Sequence, residues 1–218
     1  MLQSTEYRHF RDAVLFSLIL ALLVAVYVVS FGKENSFLYI NQYYSPSMDY
    51  VFRFWTYLGD GLIWIPLFGY VLLFKRDYLV AVLSGLIICT ILTQFLKKVV
   101  FPEDFRPIVL LSDRVRTIPG YFMNRAHSFP SGHTSTAFTL ALLMSFIVRK
   151  DIWVYFFPLI AFFVGYSRVY LAQHFVTDVF AGMLTGIVSS CLALLIYEKY
   201  RRRNRNELIK DKIETEAD

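Results

Sequence analysis

The sequence predicts an all-α protein that is built as a bundle of six membrane-spanning helices. Of its 218 residues, 56% are hydrophobic and only 18% are charged, and the apolar residues are gathered in six long runs. A soluble domain usually contains about 25% charged and 45–50% apolar residues. The composition therefore excludes a soluble domain of this size, a disordered chain and a fibrous protein. It also argues against a nucleic-acid-binding protein, despite the formal charge of +5.

The first three predicted spans lie in the N-terminal half of the chain. A helix that crosses the hydrocarbon core of a bilayer needs about 20 mostly apolar residues. Residues 13–31 form the first such run, and we interpret them as an uncleaved anchor because no cleavage motif follows them. The next two runs cover 62–74, extended back to residue 55, and 78–96.

The last three predicted spans cover 134–148, 152–170 and 175–197. We expect one membrane domain over residues 1–200, followed by a charged cytoplasmic tail over 201–218 whose end is frayed. Most of the basic residues lie in the N-terminal segment, in two tight turns after the second and fourth spans, and in this tail. Because Lys and Arg favour the cytoplasmic side of a membrane, we expect both termini to be cytoplasmic.

Two segments outside the spans face the opposite, extracytoplasmic side in this topology. Residues 32–57 mix aromatic and charged side chains, a pattern typical of an interfacial amphipathic helix. Residues 97–133 form a long loop with many charges and prolines. Loops of this length in compact domains are usually functional.

Polar residues are expensive inside membrane spans, and three clusters of them stand out at the extracytoplasmic helix ends. The first cluster lies after the third span, the second precedes the fourth, and the third joins the fifth to the sixth. Their candidate functional residues are Lys98 and Arg106; Ser131, Gly132 and His133; and Arg168, His174 and Asp178. The adjacent Lys97 stays open as the alternative to Lys98.

This set of side chains suits a tetrahedral anion such as phosphate. Arg and Lys pair with phosphate oxygens, and a helix that begins after Ser131 can direct backbone N–H groups at an anion. Two histidines can divide phosphoryl transfer, one attacking phosphorus and the other protonating the leaving oxygen. His174 and Asp178 are spaced i, i+4, so the carboxylate can orient the imidazole.

Simpler interpretations exist for several of these residues. Three arginines of the long loop can extend toward lipid headgroups without a specific ligand: Arg114, Arg116 and Arg125. His127 fits an ordinary polar loop residue, and Asp178 could cap the sixth span. A metal site built from the histidines and the aspartate is a weaker alternative, because the neighbouring cations repel a metal ion.

These residues make the chain resemble the type 2 phosphatidic acid phosphatase superfamily of integral membrane lipid phosphatases. The family's second motif stands intact as Pro130-Ser131-Gly132-His133. The third is also intact, with Ser167-Arg168 followed by His174 and Asp178. The first departs by one residue, since seven residues rather than six separate Lys98 from Arg106-Pro107. Motif order, motif spacing and the number of spans match along nearly the whole chain.

The resemblance implies a role for each candidate residue. His174 would form a phosphohistidine, Asp178 would orient it, and His133 would protonate the leaving group. The residues expected to hold phosphate are Lys98, Arg106, Ser131, Gly132 and Arg168. The resemblance also implies that the enzyme needs no metal or other cofactor, acts in a bacterial inner membrane and faces the periplasm. No nucleic acid and no obligatory protein partner is expected.

The substrate that the resemblance implies is a lipid phosphomonoester or diphosphate. Lipid A phosphates, undecaprenyl diphosphate and phosphatidylglycerol phosphate all fit, and the arginines of the long loop could suit a large anionic headgroup such as lipid A. Two other hypotheses stay open. The same site could transfer the phosphoryl group to another lipid or sugar, or the protein could bind lipids without catalysis.

Overall fold

The fold was analysed in a computed structural model that describes residues 5–217, with side-chain placements for 7–207 and 215. Over these residues the chain is helical and contains no strand. Eight α-helices follow one another, joined by short 3₁₀ and π turns: α1 Thr5–Gln42, α2 Pro46–Trp55, α3 Trp64–Phe74, α4 Leu79–Phe95, α5 Pro107–Leu110, α6 Gly132–Val148, α7 Asp151–Tyr170 and α8 Val176–Ala217.

The break between the first span and the interfacial segment lies at Gly32. Its φ of 76° and ψ of 168° interrupt α1 with a conformation that favours glycine. The expected interfacial segment therefore consists of the end of α1 and the amphipathic helix α2. Helix α2 begins at Pro46, where the Ser45 side chain accepts a hydrogen bond from the backbone N–H of Met48 at 3.2 Å.

The predicted count of six spans is supported only in part by helix length and composition. Four helices of the described chain are long and apolar enough to cross a membrane, and α2 and α3 together make a fifth if this pair, bent by 59°, counts as one span. Helix α6, at 17 residues, is apolar but shorter. The all-α membrane bundle is therefore confirmed, and the sixth crossing stays a prediction.

Helix α6 lies at the centre of the bundle, where it packs against α1, α4, α7 and α8. Most of its residues are buried, so α6 contacts other parts of the protein over most of its surface. Two glycines allow α8 to approach it closely. A Cβ at Gly182 would lie 2.7 Å from the Ser131 carbonyl oxygen, and one at Gly186 would lie 2.6 Å from Cβ of Phe138. This close approach fixes the start of α8 against the start of α6.

The C-terminal residues form a continuation of α8 and not the frayed tail that the sequence analysis predicted. The helix has 42 residues, about 63 Å at 1.5 Å per residue, which exceeds the thickness of a bilayer core. No Gly or Pro follows Gly186. Ion pairs spaced i, i+4 also support the extension, with 3.3 Å between Arg202 and Glu198 and 2.9 Å between Arg203 and Glu207.

Candidate active site

Three segments meet at one end of the bundle: the long loop before α6, the first turn of α6, and the connection between α7 and α8. The backbone N–H of Ser131 donates to the Asp178 carbonyl oxygen at 2.9 Å, which links α6 to α8. The N–H of His174 donates to the Arg168 carbonyl oxygen at 3.2 Å, which closes the turn after α7. The second and third polar clusters of the sequence are thus adjacent in space.

His174 and Asp178 form a buried pair, as their spacing predicted. His174 is 1% exposed and Asp178 is fully buried. Nδ1 of His174 lies 3.3 Å from Oδ2 of Asp178. The same carboxylate oxygen accepts hydrogen bonds from the Ser128 hydroxyl at 2.5 Å and from the Phe175 N–H at 2.9 Å. Because Nδ1 of His174 faces the carboxylate, Nε2 remains available to a substrate.

The surroundings of His174 keep its imidazole neutral. Burial lowers the pKa of His174 well below its usual value, and the positive charges of Arg106, Lys97 and Arg168 lower it further. A contact with the backbone of Ser128 opposes this shift. A neutral imidazole has the free electron pair that a nucleophile needs.

Arg106 is brought into the same site from the long loop. It is 7% exposed, and its guanidinium is held by backbone and side-chain oxygens: Nε donates to the Ala126 carbonyl at 3.1 Å, and Nη1 donates to the carbonyl and Oε1 of Gln173 at 3.0 and 2.9 Å. Burial and the charge of Arg168 lower the pKa of Arg106 to about 10, against the opposing effect of Asp178. Arg106 therefore remains cationic at neutral pH.

Arg168 enters the site from the last turn of α7. Its Nη1 donates to Oγ1 of Thr56 at 2.7 Å, and Tyr121 of the long loop also interacts with it. Its Nε is buried and has no hydrogen-bond partner within the described part of the chain. A buried donor of this kind is expected to find a partner, and a phosphate oxygen would supply one.

The lysine that the structure places beside these arginines is Lys97 and not the expected Lys98. Nζ of Lys97 donates to the His127 carbonyl oxygen at 2.9 Å, and Lys97 interacts electrostatically with Arg106, Arg168 and Asp178. Lys98 is exposed. The cause is a π turn over Leu96–Val100, closed by the Phe101 N–H on the Leu96 carbonyl at 2.8 Å. This wider turn changes the direction in which each lysine points.

The start of α6 carries the remaining three predicted residues. Ser131 caps the helix, and its Oγ accepts from Oγ1 of Thr134 at 2.9 Å and from the Thr134 N–H at 3.4 Å. Both contacts use Oγ as an acceptor, so the hydroxyl hydrogen remains for an anion. Gly132 lies beside Lys97, whose Cε is 3.9 Å from the position of a Cβ. Nε2 of His133 lies 3.7 Å from Oδ2 of Asp60, in the bend between α2 and α3.

Other polar residues of the long loop make structural contacts. Arg114 pairs with Glu34 at 3.3 Å. Arg116 pairs with Asp49, and its guanidinium lies 4.1 Å from the centroid of the Tyr44 ring. The side chain of Arg125 is exposed. Arg116 thus joins the long loop to α2, and its guanidinium has protein partners without a lipid headgroup.

Three residues that contact the site were not predicted from the sequence to have a role there: Ser128, Gln173 and Thr56. Each acts on a partner more than 40 positions away along the chain. A signal was present only for Ser128, two residues before the second motif, and for Gln173, which lies within the third motif directly before His174.

The profile of the PAP2 superfamily matches residues 78–202, which is more than half of the chain. The chain belongs to the PAP2 superfamily. The lipid A 4'-phosphatase of Porphyromonas gingivalis is 30% identical to it over 179 residues, which cover 78% of this chain and 75% of that protein. The undecaprenyl-diphosphatase of Sulfolobus acidocaldarius is 27% identical over 192 residues, covering 82% of this chain and 88% of that protein.

The crystal structure of Aquifex aeolicus LpxE is similar to this PAP2 protein, with a TM-score of 0.67 and 33% identity. The match covers 74% of this chain and 94% of that chain. The family resemblance found in the sequence is therefore confirmed. This PAP2 protein is an all-helical integral membrane enzyme, a phosphatase that hydrolyses phosphoric esters.

Proposed function

We propose that this PAP2 protein removes phosphate from a lipid phosphomonoester or diphosphate through a phosphohistidine on His174. The observation that carries the proposal is a buried, neutral imidazole with a carboxylate behind Nδ1 and cationic groups around it. The residues that would hold the phosphate oxygens are Lys97, Arg106, Ser131, Gly132 and Arg168. Lys97 replaces Lys98 in this set because of its position.

The reaction would proceed in two steps at phosphorus. In the first, Nε2 of His174 attacks, the bond between phosphorus and the leaving oxygen breaks, and His133 donates its proton to that oxygen. In the second, water attacks the phosphohistidine, its proton passes to His133, and the P–N bond breaks to free phosphate. Asp178 orients His174 throughout by accepting from Nδ1–H.

The similar proteins support lipids as the substrates, since they are named for lipid A and undecaprenyl diphosphate. We infer that α1, the bent pair α2–α3, α4, α6, α7 and α8 give six crossings of a bacterial inner membrane. Basic residues near the start of α1 and the end of α8 favour cytoplasmic termini. The active site would then face the periplasm. We further propose that the reaction uses no metal, because the anion-binding groups are themselves cationic.

Phosphate release from a lipid panel tests this proposal. The panel contains lipid A, undecaprenyl diphosphate and phosphatidylglycerol phosphate, each offered to the purified protein in the same detergent. We expect free phosphate from at least one lipid, activity that survives EDTA, and loss of at least about 10³-fold in His174→Ala. His127→Asn is the control, because His127 is exposed and asparagine tolerates its positive φ of 54°.

Three results would contradict the proposal. Near-normal turnover by His174→Ala would exclude the phosphohistidine. Restoration of EDTA-treated enzyme by a divalent cation would exclude the metal-free mechanism. If the reaction product were a phosphorylated acceptor and not free phosphate, the enzyme would be a transferase.

A further inference from the structure

A cavity of about 760 Å³ lies beside the candidate active site and is not used by the mechanism above. It is enclosed by α2, by the 3₁₀ turn Thr56–Gly59 and by the part of the long loop around residues 118–122. The side chains that matter for its chemistry are Asp49, Arg53, Phe54, Tyr57, Tyr121 and Phe122.

Arg168 connects this cavity to the phosphate-binding groups. Its Nη1 bonds to Thr56, the neighbour of Tyr57, and it also interacts with Tyr121. The same 3₁₀ turn contacts the start of α6, where a Cβ at Gly59 would lie 2.6 Å from the His133 carbonyl oxygen. A phosphate held by Arg168, with its leaving oxygen next to His133, would therefore have its ester substituent close to this cavity.

The walls combine exposed aromatic rings with charged groups. Phe54, Tyr57 and Phe122 are 58%, 62% and 78% exposed. The guanidinium of Arg53 lies 5.7 Å from the centroid of the Tyr121 ring. Asp49 is fixed by Arg116 and by the hydroxyl of Tyr170, which donates to it at 2.6 Å. Asp49, which lines the cavity, is thus held in place, and the three rings are accessible to a ligand.

A second cavity of about 540 Å³, between α1, α7 and α8, has a different character. Apart from tyrosines, its walls are aliphatic or phenylalanine side chains, and none of the described residues that line it is charged. That surface suits hydrocarbon chains. The cavity beside Arg168 has charged groups as well as rings, and at its volume it exceeds what a phosphate alone would fill.

We propose that the cavity beside Arg168 binds a sugar headgroup that carries the scissile phosphate. The faces of aromatic rings are electron-rich and attract the polarised C–H groups of a pyranose. Arg53 can donate to sugar hydroxyls or to a second anionic substituent. This inference rests on the proposed function and narrows it, since it makes the preferred substrate a phosphorylated glycolipid and not an isoprenoid or diacylglycerol phosphate.

Steady-state kinetics on two substrates test the inference. The full-length purified enzyme is assayed in identical mixed micelles with lipid A, which has an acylated glucosamine disaccharide, and with undecaprenyl diphosphate, which has no sugar. The variants are Tyr57→Ala, Phe54→Ala and Arg53→Gln. Tyr200→Ala is the matched control, because Tyr200 is 46% exposed and is not among the residues that line either cavity.

For each cavity variant we expect KM for lipid A to rise by about three- to tenfold, the range for loss of one ring contact or one hydrogen bond. The kcat for lipid A and the kcat/KM for undecaprenyl diphosphate should stay unchanged, and Tyr200→Ala should leave the kinetics of both substrates unchanged. Equal losses on both substrates, or no change on either, would overturn the inference. So would a wild-type enzyme that hydrolyses only the sugar-free lipid, although the proposed function would survive. If the wild type released phosphate from neither lipid, the proposed function itself would fail.

Discussion

The hydroxyl of Ser128 donates to Oδ2 of Asp178 at 2.5 Å, and this same oxygen faces Nδ1 of His174. Ser128 is fully buried, and its backbone N–H donates to the Asp104 carbonyl oxygen at 2.9 Å. The long loop therefore contacts the carboxylate that orients the nucleophile. Any displacement of Ser128 would change the angle at which Asp178 meets the imidazole.

Ser128→Ala should lower kcat by about 10- to 100-fold, the usual effect of losing a hydrogen bond to a charged group. KM should change little, because Ser128 contacts the Nδ1 side of His174 and not Nε2, the atom proposed to attack phosphorus. Steady-state kinetics with a short-chain lipid phosphate measure both constants. Ser145→Ala is the control, since Ser145 is also buried and its hydroxyl donates to the Ala141 carbonyl of its own helix, at 2.9 Å.

Ser128→Thr retains the hydroxyl and should recover part of the lost kcat. A rise in KM together with a fall in kcat in Ser128→Ala would indicate that the whole loop had moved. Unchanged kinetics would show that the Phe175 N–H and the Thr177 hydroxyl, which donates to Oδ1 at 3.2 Å, are enough to hold the carboxylate.

The pH dependence of kcat/KM should reflect the lowered pKa of His174. Protonation removes the electron pair of the nucleophile, and burial and nearby cations disfavour that protonation. Activity should therefore persist as pH falls below 6.5, the unperturbed value for histidine, and should be lost only at the lower pKa of the folded enzyme. The charged groups around His174 are Arg106, Lys97, Arg168 and Asp178.

Removing one of these positively charged side chains should shift the acid limb of the pH profile, which is the pH range in which kcat/KM falls on acidification. Arg106→Gln takes away a positive charge, so the pKa of His174 rises and the acid limb shifts to higher pH. The position of the limb is the readout, since the maximum rate will also fall. Arg125→Gln is the control, because the Arg125 side chain is exposed. A limb that stays in place or moves to lower pH in Arg106→Gln would contradict the assignment.

Helix positions and the two C-terminal motifs were predictable because they depend on local sequence. Apolar runs define helices, and His174 and Asp178 meet because only three residues separate them. The extension of α8 was missed because a charged segment was taken for a tail, although it lacks Gly and Pro. Its i, i+4 ion pairs are the local signal that would have indicated a helix.

Contacts between distant segments were not predictable in the same way. Gln173 holds Arg106 across 67 positions, and Thr56 holds Arg168 across 112. Residue type alone does not distinguish these two from other polar residues near a helix end, and of the two only Gln173, directly before His174, had a signal in its position. Only the packing of α2 and the long loop against the turn after α7 creates the contacts.

The membrane orientation can be tested with single cysteines in a background where Cys89 and Cys191 are replaced by alanine. A cysteine at Thr117, which is exposed in the long loop, should react with an impermeant maleimide in intact spheroplasts. One at Asn204, in the basic part of α8, should react only after the membrane is permeabilised. The expected pattern follows from the preference of Lys and Arg for the cytoplasm. The reverse pattern would move the active site to the cytoplasmic face.

The two adjacent lysines at the end of α4 provide the most discriminating test of the site's geometry. Family spacing favours Lys98, which lies closer to Arg106 along the chain, whereas the π turn directs Lys97 at the site. Lys97→Ala should reduce kcat/KM by an amount equivalent to about 2–4 kcal/mol of transition-state stabilisation, as for loss of an oxyanion donor. Lys98→Ala is the matched control and should retain nearly full activity, because its side chain is exposed.

A short-chain soluble substrate should be used for this comparison, so that altered contact with lipid headgroups does not enter kcat/KM. Lys97→Arg adds a second test. It keeps the positive charge but presents a larger, planar group where Nζ now donates to the His127 carbonyl at 2.9 Å, so it should recover only part of the lost rate. If Lys98→Ala lost activity while Lys97→Ala retained it, the result would mean that α4 ends in an ordinary α turn. If neither lysine mattered, Arg106 and Arg168 would bind the phosphate without help from α4.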